Sequence, residues 1–244
     1  MKENKYDDPV FFAHYSHMAR SEQGLAGAGE WPTLEPLLPP FAGKRVLDLG
    51  CGFGWHARYA ADHGAAEVIA SDISEKMLAA AREKNAHPAI TYRQEAFEDA
   101  DYPAGHFDLV LCSLMLHYLA DYGTFLKKVR RWLKAGGTLL FTVEHPTFTA
   151  YGSQDWYYGP GGEILHFPVD RYFLEGKRDA LFLGEHVVKY HRTLTTYLDG
   201  LLQEGFTLLR IQEPQPAAEM VQSIPGMADE LRRPMMLIVL AQKQ

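Results

Sequence analysis

The sequence predicts an α/β fold, a doubly wound and mostly parallel sheet with helices on both faces, and three observations predict it. Short apolar segments alternate with segments of helical spacing along residues 41–145, the pattern of successive strand and helix units. The first apolar segment, Val46-Leu47-Asp48-Leu49, runs into three alternating glycines, Gly50, Gly52 and Gly54, as a strand does when it turns sharply into a helix. Acids recur where successive strands end, at Asp48, Asp72 and Glu95. Length and composition agree, since 244 residues can bury one sizeable core, and 47% apolar with 23% charged residues is ordinary for a globular domain.

Each element follows in order. Residues 1–40 read as a helical cap: Pro9 starts a helix from Val10 to Arg20 that carries Phe11, Phe12, Tyr15 and Met18. Gly24 to Gly29 break it before Trp31-Pro32-Thr33-Leu34. After strand one, Trp55 to Ala61 form a helix closed by Gly64. Strand two, Glu67 to Ser71, ends in Asp72, where nucleoside-binding sheets hold ribose hydroxyls because one carboxylate can accept from both. Ile73 is then placed to cover one face of a flat base. Ser74 is the expected N-cap of the next helix, with Met77 and Leu78 on its apolar side. Strand three, Ile90 to Arg93, leads into Glu95-Ala96-Phe97. Strand four, Phe107 to Cys112, follows a turn on Pro103, Ala104 and Gly105 and ends at Ser113. A helix over 121–134 begins at Asp121 or Gly123-Thr124 and stops at Gly136-Gly137, ahead of strand five, Thr138 to Val143.

The glycine turn separates two kinds of ligand. A dinucleotide fingerprint needs a third small residue for close packing of helix on strand, and Trp55 stands there. The run D-x-G-x-G-x-G instead resembles motif I of the class I S-adenosylmethionine (SAM) dependent methyltransferases, in particular small-molecule enzymes with a methyltransferase-11 type core. The resemblance implies a Rossmann-like seven-stranded sheet whose last strand is antiparallel, SAM as cofactor and S-adenosylhomocysteine as product. SAM carries an ammonium and a sulfonium, so an acid at Asp48 facing the ligand suits it better than a pyrophosphate. Cofactor contacts are expected from Asp48, Gly50, Gly52, Gly54, Asp72, Ile73, Met77, Glu95, Ala96, Phe97 and Ser113. Glu95 stands where the family usually has an aspartate that accepts from the adenine amino group. In similar enzymes the N-terminal helix covers the cofactor mouth, which makes Tyr15 and Arg20 candidates for the methionine carboxylate. The tail from Tyr190 to Phe206 resembles the family's final helix, with Gly205 at its end and a hairpin of Thr207–Gln212 and Met235–Ala241 after it. The loop 214–225 carries no assigned chemistry.

Residues 144–192 are too long for an ordinary connection and hold ten aromatic rings between Phe148 and Tyr190. Short antiparallel strands forming a lid over a small-molecule pocket are expected; the alternative is that the rings only form a satellite core. His117, His145 and His191 fall near the expected cleft and are candidate substrate-binding residues. Each also has a purely structural reading, and no catalytic base is assigned. No Asn-Pro-Pro-Tyr type run follows strand four, so O-, S-, C- or small-molecule N-methylation is favoured.

A net charge of -7 without a basic run argues against a nucleic-acid surface. No apolar stretch reaches membrane-spanning length, and the first ten residues lack a signal-peptide core, so a cytoplasmic protein is expected. Cys51 and Cys112 read as reduced apolar residues, with no metal site. The expected function is methyl transfer to a small metabolite by a monomer or homodimer. The alternatives are a protein or RNA methyltransferase and a non-catalytic SAM-binding regulator.

Overall fold

The computed structural model describes residues 4–244, and residues 1–3 of the expected cap lie outside it. Asp8 opens the first helix, α1 (Pro9–Ser16), by accepting from the Val10 and Phe11 N–H groups, with Pro9 at the first position, where its missing N–H costs nothing. The helix stops short of Arg20. The Ser16 hydroxyl turns back to the Phe12 carbonyl, and Met18 adopts extended backbone before the short α2 (Ala19–Glu22). A further turn of helix, α3 (Trp31–Leu34), completes this region.

Strands and helices then alternate as β1 (Arg45–Leu49), α4 (Trp55–Asp62), β2 (Glu67–Asp72), α5 (Glu75–Lys84), β3 (Ile90–Gln94), β4 (Phe107–Ser113), α6 (Tyr122–Trp132) and β5 (Leu133–Glu144). Ser74 caps α5 by accepting from the Met77 N–H, and Asp121 caps α6 by accepting from Thr124. β5 begins earlier than the glycines suggest, because Leu133 already pairs with Phe107; a register shift between Phe107 and Leu109 absorbs the extra residues. After β5 come α7 (Pro146–Thr149) and two antiparallel hairpins, β6 (Tyr157–Tyr158) with β7 (Ile164–His166), and β8 (Gly176–Phe182) with β9 (Glu185–His191). The chain closes with α8 (Leu194–Gln203), β10 (Phe206–Gln212), α9 (Ala218–Ser223) and β11 (Met236–Lys243).

Two further stretches differ from the sequence reading. Tyr190 and His191 belong to β9, since pairing of β8 with β9 runs through Gly176 and His191; the last helix starts only at Leu194, where the Thr193 side chain accepts from the Thr196 N–H. The stretch expected to be a plain loop contains α9 and a 3-10 segment, Met227–Arg232.

Seven strands form one sheet in the order β10-β11-β5-β4-β1-β2-β3. β11 runs antiparallel to both its neighbours, β5 and β10, while β1 pairs in parallel with β2 and with β4. The strand order reverses at β1 and β4, and a crevice opens at such a point beyond the carboxyl ends of the strands. Alternation along the strands sorts the core into two layers. Leu47, Leu49, Val110 and Phe141 pack under α6 and α8 with Phe125, Trp132 and Tyr197. Val46, Val68, Leu109 and Leu111 face Ala57, Ala60 and Ala61 of α4 and Leu78 of α5. No helix among the described residues is long and apolar enough to cross a membrane.

Candidate active site

A cavity of about 560 Å³ occupies the crevice, walled by the ends of β1, β2, β4 and β5, by the N-terminal region and by residues 148–189. At one end lie Gly50, Gly52, Asp72, Ile73, Met77, Glu95, Ala96, Phe97 and Ser113. Gly50 and Gly52 have φ of 66° and 52°, a region that favours glycine. A Cβ on Gly50 would sit 2.7 Å from Met115, whereas one on Gly52 would meet nothing within 4 Å and would project into open space. Asp72 accepts from the Gly52 N–H through Oδ2 and from the Ser74 N–H through Oδ1, both at 2.9 Å. Each oxygen keeps a further lone pair for a ligand. Burial raises this carboxyl above its ordinary value, against the backbone N–H groups that lower it. Glu95 receives a hydrogen bond from the Tyr102 hydroxyl, which limits its swing. These features fit a nucleoside with vicinal hydroxyls, and the glycine cradle leaves room for a ligand against bare backbone.

Tyr15 and Arg20 also reach the wall. Tyr15 packs edge-on to Tyr6 and Phe53, and Arg20 is clamped by both carboxylate oxygens of buried Glu30, at 2.8 and 2.6 Å. Beneath them Gly24 approaches the Trp55 indole so closely that a Cβ there would sit 3.0 Å from the ring.

Four expected site residues are not on the cavity wall. Asp48, expected to face the ligand, alternates with Leu47 and Leu49 and so projects to the α4 side, 1% exposed. Burial raises its pKa to about 7, opposed by the Ala57 N–H and reinforced by the Asp72 charge. Gly54 serves the turn from behind: it caps α4 with φ 76°, and a Cβ would lie 2.4 Å from the Tyr92 hydroxyl. His145 caps α7, its Nδ1 accepting from the Thr147 N–H and its Nε2 3.0 Å from Glu213. His191 is fully buried, with Nε2 at 2.8 Å from the Tyr172 carbonyl and Nδ1 at 2.7 Å from the Thr149 hydroxyl. Nε2 must therefore donate and Nδ1 accept, which leaves no free nitrogen for a substrate.

His117 does line the cavity, at the end away from Asp72, and it meets Glu144 and two residues that sequence reasoning missed, Lys189 and Gln154. Lys189, 2% exposed, donates to Glu144 Oε1 at 2.5 Å and to Gln154 Oε1 at 2.7 Å, and Gln154 Nε2 donates to Glu144 Oε2 at 2.6 Å. Burial alone would raise the Glu144 carboxyl; the charges of His117 and Lys189 and these two hydrogen bonds hold it below its ordinary value. Burial lowers His117 to about 4, with Glu144 pulling the other way and Lys189 and Arg192 adding to the fall. Nearby, Arg233 is ringed by Phe148, Trp156 and Phe167 at 4.6, 4.9 and 4.8 Å and paired with Glu230. The one available signal for Lys189 was its place between Val187 and His191 on the inward side of β9, a costly position for a lysine without a partner.

Residues 47–141 match the family described as "Methyltransferase domain". An S-adenosylmethionine dependent methyltransferase from Mesorhizobium loti, solved as a crystal structure, is 41% identical, covers 90% of this chain and 100% of its own, and superposes with a TM-score of 0.83. A Listeria monocytogenes protein assigned to the same class is 52% identical over 91% of this chain and 99% of its own, with a TM-score of 0.86. A ubiquinone biosynthesis O-methyltransferase of Methylococcus capsulatus is 34% identical over 113 residues, 45% of this chain and 47% of that enzyme, so the match spans about half of each. With a glycine turn, a paired aspartate and an open crevice that suit the cofactor, the chain belongs to the S-adenosylmethionine dependent methyltransferases.

Proposed function

We propose that this enzyme methylates a small molecule enclosed beneath residues 144–192, acting as a cytoplasmic protein. The observation that carries this reading is a single cavity running from the glycine turn to the Lys189 cluster, within the size range of small-molecule sites. Aromatic walls from Phe148, Trp156 and Phe182 and a few polar groups at one end suit a metabolite better than an extended peptide or RNA chain. The ubiquinone biosynthesis O-methyltransferase named above supports a small-molecule acceptor.

Gly50 and Gly52 would let the cofactor lie against bare backbone, Asp72 would hold its ribose, Ile73 and Glu95 would meet its base, and Met77, Ala96, Phe97 and Ser113 would line the same pocket. Tyr15 and Arg20 meet the amino-acid end. SAM, when bound, supplies an electrophilic methyl group on a sulfonium. The chain's own work is to orient the acceptor and exclude water, and residues 144–192 act as the lid that does both.

The test is turnover to S-adenosylhomocysteine against a panel of small metabolites, with unfolded protein and total RNA as competing acceptors. Turnover confined to a small molecule is expected. Methylation of protein or RNA in preference to every metabolite would overturn the reading.

A further inference from the structure

Resting on that reading, we propose that His117, Glu144, Gln154 and Lys189 form the seat of an acceptor hydroxyl, a phenol or enol on a flat apolar frame, whose proton His117 Nδ1 receives. His117 Nδ1 is buried without a hydrogen-bond partner, on a residue of the cavity wall that is 2% exposed. An orphaned polar atom of this kind is costly unless a ligand completes it. Its other nitrogen lies 4.0 Å from Glu144 Oε1. That is beyond hydrogen-bond length, yet the carboxylate favours the proton on Nε2 and leaves the lone pair on Nδ1.

Lys189, Glu144 and Gln154 close a ring of three hydrogen bonds. An ammonium has three N–H donors, so Lys189 keeps one that this ring does not use. His117 and Lys189 line the same cavity, with the Phe182 ring 5.1 Å from the ammonium, so the seat has both an acceptor and a cationic donor on its wall. A hydroxyl can serve both, giving its proton to the imidazole and accepting from the ammonium. An aliphatic amine enters protonated, brings only donors and meets the charge of Lys189 head on. A carbon acceptor needs neither partner.

The backbone carries strain here as well. Gln154 has φ of 59° and Leu114, beside Ser113, has φ of 53°, conformations that non-glycine residues adopt at a cost and that concentrate at functional sites. The charged and titratable groups facing His117 come from every neighbouring element: Glu144 from β5, Lys189 from β9, Arg192 beyond it and the Tyr118 ring at 4.4 Å.

The proton step balances within the seat. The acceptor's O–H bond breaks, an N–H bond forms at Nδ1, and the bonding pair stays on oxygen. The resulting imidazolium lies beside the Glu144 carboxylate and the oxyanion beside Lys189. Burial keeps the imidazole neutral down to about pH 4, which also makes it a weak base in the empty site; it takes the proton because the oxyanion formed beside it favours the imidazolium.

The probes are 4-nitrophenol and 4-nitroaniline, titrated into protein loaded with S-adenosylhomocysteine while absorbance reports ionisation of the phenol. Saturable binding of the phenol is expected, with its ionised form appearing at lower pH than in free solution, and weaker binding of the aniline. His117→Ala should weaken the phenol about tenfold or more, the worth of one such hydrogen bond, with S-adenosylhomocysteine affinity unchanged. His117→Asn keeps an acceptor atom near Nδ1 and should restore binding without the shift in ionisation. Equal binding by wild type and His117→Ala, preference for the aniline, or no phenol binding with the product still bound would overturn the proposal. Failure of S-adenosylhomocysteine itself to bind would overturn both it and the function beneath it.

Discussion

Asp48 and Asp72 end neighbouring strands and meet different surroundings. Asp72 is held by two backbone N–H groups at the cavity, whereas Asp48 lies under α4, where the Ala57 N–H only partly offsets its burial. A rise of the Asp48 pKa from an ordinary 3.8 to about 7 corresponds to roughly 4 kcal/mol. The folded protein keeps a proton that the unfolded chain releases from about pH 4 upward. Asp48 therefore contributes stability below that point and loses it as pH rises toward 7. Asp48→Asn should remove this dependence. Urea unfolding at pH 5 and pH 8 measures it: the variant should gain on the wild type as pH increases, and comparing the two proteins cancels the opposite slope of buried histidines such as His56 and His117. A constant difference across that range would show that Asp48 stays ionised.

At the scale of the element, the turn after β1 is supported from below as well as shaped by its glycines. Asn85, at the end of α5, donates to the Phe53 carbonyl at 2.7 Å, and the Tyr92 hydroxyl donates to the Asn85 carbonyl at 3.0 Å. Gly54→Ala would combine a left-handed backbone with a clash against Tyr92. A loss of about 2–4 kcal/mol is expected, read as a lower urea midpoint, with the cofactor's affinity falling in parallel. The turn was legible in the sequence because only glycine satisfies that backbone. Strands one, two, four and five were legible for a similar reason, as each is an apolar run closed by a turn or cap. What could not be read was direction within a strand end: an acid after an apolar run does not say which side of the sheet it points to, and Asp48 points away. His145 and His191 were placed near the cleft by chain position, but His145 caps α7 through Nδ1 with Nε2 beside Glu213, and both His191 nitrogens are taken by Thr149 and Tyr172, partners fixed only by folding. The partners of Lys189 and Gln154 were not legible, because their pairing with Glu144 joins β9 and the loop after α7 to the end of β5.

At the scale of the whole molecule, the cavity is closed by two parts of the chain that are distant in sequence. Lys5 pairs with Glu185 at 3.0 Å, Phe11 packs against Phe182 at 5.7 Å, and Asp7 accepts from the Ser74 hydroxyl and the Lys76 N–H at the start of α5. The N-terminal region and the β8–β9 hairpin thus meet over the crevice. Residues 150–188 give the cavity Gln154, Asp155, Trp156, Leu181 and Phe182 but none of its nucleoside-end wall. Replacing them with a short Gly-Ser linker should keep SAM binding within about tenfold, near 1.4 kcal/mol, while abolishing transfer to the true acceptor. Calorimetry and a product assay on the same sample distinguish the two effects. Transfer at the normal rate by a folded, shortened protein would show that the aromatic rings are only a satellite core.

Trp55 is the residue that rules out a dinucleotide turn, and its indole is also the surface on which Gly24 rests. One side chain therefore belongs to both the cofactor turn and the segment that covers it. Its Nε1 is buried without a partner although the ring as a whole is part-exposed, so lifting the N-terminal region would admit water to that nitrogen. Tryptophan emission is sensitive to that change, and the protein accordingly carries its own optical gauge of whether the crevice is covered or open.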